Sequence, residues 1–417
     1  MTSIRAGLTV LAPPVLSVLA LASPSMAQCG YESGSPQCFS FAPPPSEVGN
    51  ISENLILRSN ELTITGDIRF RARSGDSPND APYNGRADQI ASRARVNMNY
   101  VLNEKARAFV QFNFSETFAG SESYSDAYSG QTFNGISQAY LLSEDLLGLG
   151  EELRIGRSYF TLASGLVYGS CDFLQYPAAG TGAWFSKHFG EDDQHALEVF
   201  AFDNNGTQTS AATGSRFVGA TGRIGLGNDV LEAIEPWVLL GTGDGDVVNE
   251  DQWFGLTVHG AVGKQEDHPS LFDWNVEFAQ REVDATDDSR TAYRAVVSKD
   301  LAEVTDGVVK KVTLTRTDAE GAMHINPGDF NTAGLLHQYG GAWRSELITN
   351  QLGVKLKPTE KLDIDLAYIN FDAAGNKNNE LDVMLGTPIG NGVHGWVGYG
   401  RDEDDREVLY AQLTMFF

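Results

Sequence analysis

Between residues 62 and 118 the chain alternates side-chain type with a period of two. Three pieces carry the alternation: LTITGDIRFRAR (62–73), IASRARVNMNYVL (90–102) and KARAFVQFNFSETF (105–118). One parity is apolar, with Leu62, Ile64, Ile68 and Phe70, then Ala94, Val96, Met98 and Tyr100, then Ala106, Ala108, Val110, Phe112 and Phe114. The other is polar and basic, with Asp67, Arg69, Arg71 and Arg73, then Arg93, Arg95, Asn97 and Asn99, then Arg107, Gln111, Asn113 and Ser115. Successive side chains of a strand point to opposite faces, so the pattern predicts three β-strands with one greasy and one charged face.

The same alternation recurs to the C-terminus, in about eighteen strand-like segments, with 16 as the alternative. After the first three they begin near Ile136, Leu153, Gly182, His195, Arg216, Ile234, Trp253, Leu271, Thr291, Lys310, Ile348, Leu362, Leu381, Gly392 and Glu407. Connectors after odd-numbered segments are mostly long (74–89, 119–135, 162–181, 205–215, 242–252, 319–347), and those after even-numbered segments mostly short (103–104, 191–194, 228–233, 357–361). Long loops on one rim and short turns on the other are the pattern of a transmembrane antiparallel β-barrel in a bacterial outer membrane. The outward apolar rows include Leu197, Val199 and Ala201; Trp274, Val276 and Phe278; Leu352, Val354 and Leu356; and Leu362, Ile364 and Leu366. Their alternates, Glu198, Asn275, Glu277, Lys355, Asp363 and Asp365, are expected to face a wet interior. Closure is a physical requirement, since in lipid every backbone donor and acceptor needs a partner and only a closed sheet supplies one. The last segment, VLYAQLTMFF, ends on Phe417 with Leu409, Ala411, Leu413 and Met415 on its parity. A terminal aromatic on an amphipathic strand resembles the signal read by the barrel-assembly machinery.

Composition changes this picture at three points. Residues 1–27, with Arg5, an apolar stretch and Ser25-Met26-Ala27 before Gln28, have the layout of a secretory signal peptide. Residues 28–60, rich in Pro, Ser and Gly, read as a flexible periplasmic extension, leaving 61–417 for the barrel. Cys29 and Cys38 are close enough to form a disulfide in an oxidising periplasm, with Cys171 left over; three unpaired thiols are the alternative. The formal charge of −25 argues against nucleic acid as a partner. That charge gathers in connectors such as 191–193, 244–251 and 402–405, whereas the arginines lie inside strands, so a local cationic strip runs through an acidic protein.

The segment Gln138-Ala139-Tyr140-Leu141, followed by Leu153-Arg154-Ile155-Gly156-Arg157, resembles the alginate-export family of outer-membrane porins. An earlier pair matches as well, with Arg93 and Arg95 and then Lys105-Ala106-Arg107-Ala108-Phe109-Val110-Gln111. The likeness is firmest from 93 to 157; Ser158 stands where the family usually has Gln, and 165–189 lacks the family's next element. It implies an eighteen-stranded monomeric barrel with a basic lumen, and a uronate-type polysaccharide such as alginate as one class of solute.

Lumenal arginines suit anions because a guanidinium binds carboxylate bidentately and stays charged at any working pH. The expected solute path comprises Arg69, Arg71, Arg93, Arg95, Arg107 and Arg154, with Arg223 and Arg294 from later strands. Strict alternation points Arg157 at lipid, while the resemblance implies an inward position. The competing reading is that these arginines only satisfy wall carboxylates, with Asp67, Glu198 and Glu277 available. The connector 162–181 either folds inward as a constriction or stays at the surface. Enzyme signals are thin: the seven histidines are scattered, with no metalloprotease pair and no nucleophile elbow. The acidic run 244–251 lacks the spacing of a calcium loop. No metal or cofactor is expected. Two readings follow, a passive channel for anionic solutes and a structural or adhesive barrel with a plugged lumen and acidic surface loops.

Overall fold

A computed structural model of the chain describes residues 57–58, 62–76, 88–120, 133–169, 179–204, 215–228, 230–242, 250–263, 270–284, 286–321, 323, 334–336, 346–390 and 392–417. The proposed leader, nearly all of the extension and the three cysteines lie outside the described residues. The strands are β1 (Leu57–Arg58), β2 (Leu62–Gly75), β3 (Gln89–Asn103), β4 (Ala106–Gly120), β5 (Phe133–Glu144), β6 (Glu151–Tyr159), β7 (Ala179–Phe189), β8 (His195–Asp203), β9 (Arg216–Gly225) and β10 (Ala233–Gly241). They continue as β11 (Gln252–Val262), β12 (Phe272–Val283), β13 (Asp288–Asp300), β14 (Val309–Ala319), β15 (Leu347–Thr359), β16 (Leu362–Ala373), β17 (Asn376–Gly390), β18 (Val393–Asp402) and β19 (Glu407–Phe416).

From β2 onward each strand pairs antiparallel with the next, and β19 returns to pair with β2, with Tyr410 opposite Arg73 and Phe416 opposite Asp67. The result is a closed barrel of 18 strands, onto which β1 adds a two-residue stub beside Thr63 and Ile64. The seam is held to the last residue: Gly66 donates its N–H to the Phe417 carbonyl at 2.6 Å, and Phe417 donates to Gly66 at 3.0 Å. A Cβ at position 66 would come within 2.6 Å of the Phe417 ring, so glycine is what lets the terminal aromatic lie across the seam.

The two parities separate as the sequence predicts. Phe70, Phe114, Leu141, Val199, Phe278, Leu352, Leu381, Leu409 and Leu413 are exposed on the outer wall, while Asp67, Arg69, Arg71, Asn113, Gln351 and Gln412 are buried inside. Phe278, Tyr293, Tyr368 and Tyr399 stand on the outward rows of β12, β13, β16 and β18. Further along those strands the outward rows turn polar, at Gln280, Thr291, Asn370 and Arg401, as expected where a wall leaves the hydrocarbon. Replacing Leu413 by Arg on the outer wall of β19 is expected to cost about 2–4 kcal/mol if it lies near the bilayer midplane. Equilibrium unfolding from lipid vesicles measures that loss.

Loop lengths sort by rim in the first half, but three connections on the long-loop rim are short: 284–287, 374–375 and 403–406. There the strand pairs run on to the turn itself, β12 with β13 as far as Val283 and Asp288, and β16 with β17 as far as Ala373 and Asn376. On the short-turn rim Lys105 Nζ meets Asp145 Oδ2 at 2.5 Å, tying two neighbouring turns together. That hydrogen bond, with a second from the Gly150 N–H, holds the Asp145 carboxyl below the usual carboxylate range.

Candidate functional site

The basic parity of β2–β4 forms one strip on the inner wall. Register places Asp67 opposite Arg95 and Arg69 opposite Arg93, so the side chains from two strands interleave at one height. Six arginines (69, 71, 73, 93, 95 and 107) and one acid, Asp67, occupy the inward rows of these three strands. Asp67 Oδ2 meets Arg95 Nε at 2.6 Å and its Oδ1 meets Arg93 Nη2 at 3.3 Å. The wall-pairing reading therefore holds for Arg93 and Arg95. Asp67→Asn should leave those guanidiniums without their carboxylate, costing about 3 kcal/mol by analogy with other broken buried pairs. It should also raise anion preference, and denaturant titration together with bilayer recording checks both signs.

Arg71 and Arg73 are held differently. Arg71 Nε donates to Gln412 Oε1 at 2.8 Å, with its Cζ 6.0 Å from the centre of the Trp396 ring. Arg73 Nε donates to Tyr410 Oη at 3.0 Å, its Nη2 donates to the Asp76 carbonyl at 2.7 Å, and its Cζ lies 5.8 Å from the Tyr410 ring centre. Aromatic faces and neutral acceptors thus orient both guanidiniums on the inner wall. Arg73 lies on the basic row but outside the expected solute path, and Gln412, Tyr410 and Trp396 come from β19 and β18, whose inward rows carry no arginine.

Arg107 and Arg154 share one row of the wall with Leu142 between them, and the row runs on through Trp184 and Phe200. Arg154 lies between Tyr140 and Trp184, 5.7 and 5.8 Å from their ring centres, and donates through Nη1 to Ser158 at 3.0 Å. Arg157 stands opposite Ala139 and Thr181, in the row of Leu153 and Ile155, and its Nε donates to the Ser137 carbonyl at 3.1 Å. Register thus gives it the outward row rather than the inward position the resemblance implied. Its guanidinium is held against the β5 backbone, where the register shifts beside Gln111.

The later arginines are wall pairs. Arg223 Nη1 meets Glu235 Oε1 at 2.9 Å, and His259 Nε2 shares that oxygen at 3.2 Å. Arg294 is buried opposite Glu277 in the β12–β13 register. Arg281, absent from the expected set, donates through Nε to Asp251 Oδ2 at 3.0 Å and lies 5.2 Å from the Trp253 ring centre. Asp251 belongs to the acidic run considered for calcium; it is used here by Arg281 and by the Asp284 N–H at 2.9 Å. Residues 244–249 of that run lie outside the described residues, and Glu250 is exposed. Among the described residues no group of three His, Cys, Asp or Glu side chains converges as for a metal ion.

The interior is not uniformly wet. Leu162, Leu166, Val167 and Tyr168, from the connector after β6, are buried in a cluster with Phe160, Trp184, Phe200, Phe202, Phe217, Trp237, Leu239 and Trp253. The connector therefore folds inward, as one of the two sequence readings had it; its Cys171, Asp172, Phe173 and Tyr176 lie outside the described residues. Ser164 donates its N–H to Glu277 Oε2 at 3.2 Å, so Glu277 is fully buried under this loop instead of facing water. The wall behind is shaped to receive these rings: a Cβ at Gly180 would lie 2.7 Å from Phe202, and one at Gly219 would overlap Phe200. A second connector, between β14 and β15, contributes buried Met323, Leu335 and Leu336. The β7–β11 side of the lumen is thus filled by apolar packing, while the charged strip lies on β2–β4.

Known structures share this architecture. The fold is that of an outer-membrane porin. A BenF-like porin from Pseudomonas fluorescens Pf-5 superimposes with a TM-score of 0.61 at 12% identity, over 86% of this chain and 99% of that one. Acinetobacter baumannii OccAB3 gives a TM-score of 0.61 at 12% identity over 85% of this chain and 99% of that one. Pseudomonas aeruginosa OccK2 (OpdF), solved in complex with glucuronate, gives a TM-score of 0.59 at 14% identity over 86% and 96%. No protein-family profile matches the sequence, and no curated protein matches it. Identity this low speaks for the barrel and not for its solutes. The closed wall with its outward apolar face is that of a bacterial outer-membrane protein.

Proposed function

We propose that the chain is an outer-membrane channel that favours anionic solutes, with the β2–β4 arginine strip as the surface they pass. The observation that carries this is the inward row of six arginines against the single Asp67 on three adjacent strands. Several shallow sites along a path speed entry without trapping the solute, which is what conduction needs. Wall pairs on the opposite side supply structure but little field.

Carboxylated sugars are the favoured solute class. The resemblance of residues 93–157 to alginate-export porins and the glucuronate held by OccK2 both support uronates, mono- or oligomeric. Lipid, the assembly machinery and the solute are then the partners, with the barrel acting as a monomer and performing no catalytic step.

The plugged-barrel reading is favoured by one observation, the apolar packing of 160–168 inside the lumen. Proteoliposome swelling separates the two. Entry of glucuronate faster than glucose supports the channel; no swelling in either sugar leaves the plugged barrel.

A further inference from the structure

Residues 334–336 of the β14–β15 connector meet the inner wall at a seat made by β17 and β18. Leu335 donates its N–H to Asp382 Oδ2 at 3.1 Å, and Leu336 donates to Glu380 Oε1 at 2.6 Å. Both leucines and both carboxylates are fully or almost fully buried. The seat needs missing side chains. A Cβ at Gly398 would lie 3.1 Å from Leu335 Cδ1, and a Cβ at Gly400 would lie 2.6 Å from Asp382 Oδ1, 2.9 Å from Glu380 Oε1 and 3.1 Å from Leu335 Cβ. Gly334, at φ +120°, passes so close to the Glu380 carboxylate that a side chain would collide with it. Backbone amides are the partners those two carboxylates have lost from water, so seating the segment removes a desolvation cost as well as burying two leucines.

The seat begins at the row of Arg73, where the β2 arginines end. Around the wall, Arg73 stands opposite Tyr410, Tyr410 opposite Gly398, and Gly398 opposite Met384. One step below, Arg71 stands opposite Gln412, and Gln412 opposite Trp396. Asp382 stands opposite Gly400, Gly400 opposite Val408 and Val408 opposite Gly75, and Glu380 stands opposite Asp402, so Leu335, packed on Gly398 and Gly400, covers two acids one and two inward rows beyond Arg73.

We propose that residues 334–336 form a strap that sets the width and the charge of the solute path, with Glu380 and Asp382 as its positioning residues and Gly398 and Gly400 as its seat. Seated, the strap narrows the lumen and masks two acids; lifted, it widens the lumen and bares them beside the arginines. The proposal rests on the channel reading above.

The test uses the full-length protein in planar bilayers, with Gly400→Val to block the seat. Conductance should rise, and the chloride-over-potassium permeability ratio should fall about threefold as two carboxylates enter the field of the strip. Adding Glu380→Gln and Asp382→Asn to Gly400→Val should keep the raised conductance and restore the ratio. Leu335→Asp, repelled by the two carboxylates without altering the wall, should reproduce the single variant should Gly400→Val not assemble. Strap position is read separately, in a background with Cys29, Cys38 and Cys171 changed to Ser, from maleimide labelling of Leu335→Cys. Labelling should be slow with Gly400 and fast with Gly400→Val. Equal labelling in the two, or a ratio that does not respond to strap release, overturns the proposal and leaves the channel reading intact. A native protein that does not conduct overturns the channel reading itself, and the masking role with it.

Discussion

Changing Arg71 and Arg73 together to Gln is expected to lower the chloride-over-potassium permeability ratio about fivefold. A unit charge about 8 Å from an ion in water contributes roughly 0.5 kcal/mol, which screening in about 0.1 M salt cuts to about half. Two such charges act in opposite senses on chloride and potassium, so their loss changes the ratio by roughly 1 kcal/mol, about fivefold at room temperature, and focusing by low-dielectric walls raises this. Glutamine can still donate to Gln412 Oε1 and Tyr410 Oη, the acceptors used by the native side chains, so the wall should hold while the charge goes. Arg93→Ala with Arg95→Ala should behave differently. Those two side chains neutralise the buried Asp67, so their loss should cost stability, about 3–5 kcal/mol, as well as selectivity. Reversal potentials under a salt gradient and denaturant titration distinguish the two variants. Equal stability losses in both would show that Arg71 and Arg73 are wall pairs too.

Phe202→Ala should release the inward connector. Phe202 has the rings of Phe160, Tyr168, Trp184, Phe200 and Phe217 around it, at centroid distances of 5.6, 5.0, 5.9, 6.0 and 5.5 Å. Truncating a buried aromatic at such a centre costs about 3–5 kcal/mol. The barrel's hydrogen-bonded wall does not depend on those rings, whereas Phe160 and Tyr168 reach them from the end of β6 and the connector. The loss should therefore appear first as undocking of residues 160–168, with larger and noisier single-channel conductance, and only second as a lower melting temperature. Val199→Ala, on the same strand as Phe202 but on its lipid face, is the control, since lipid fills the space left behind. Conductance traces that are the same for both variants would contradict the assignment of the cluster to the pore.

Period-two alternation was enough to read the wall, because lipid outside and polar groups inside impose opposite demands on successive residues. The starts it placed near His195, Arg216, Leu362 and Glu407 coincide with those of β8, β9, β16 and β19, and it missed the start of β17 by five positions, where Asn376 to Glu380 carry polar side chains on both faces. The basic strip was legible for the same reason, since arginine in a strand that is otherwise apolar has only one place to point. What alternation could not show is how the lumen is filled. Phe200 and Phe202 lie on the parity of Glu198, and Trp253 on that of His259. Inward aromatics on β7–β11 were a signal that the interior there is packed rather than wet, but their partners come from a connector with no periodicity of its own. Arg157 failed in the opposite direction: alternation alone gave its outward row, and the resemblance drew it inward. Glu380 and Asp382 were ordinary inward carboxylates in the sequence, because the amides that cap them lie more than forty residues away.

The most direct test of an anion-favouring channel is the reversal potential of the native protein in a planar bilayer across a tenfold potassium chloride gradient. Chloride preference, weakened by added glucuronate and about fivefold lower in the Arg71→Gln, Arg73→Gln variant, is the predicted result. A potassium preference that the variant leaves unchanged would contradict it.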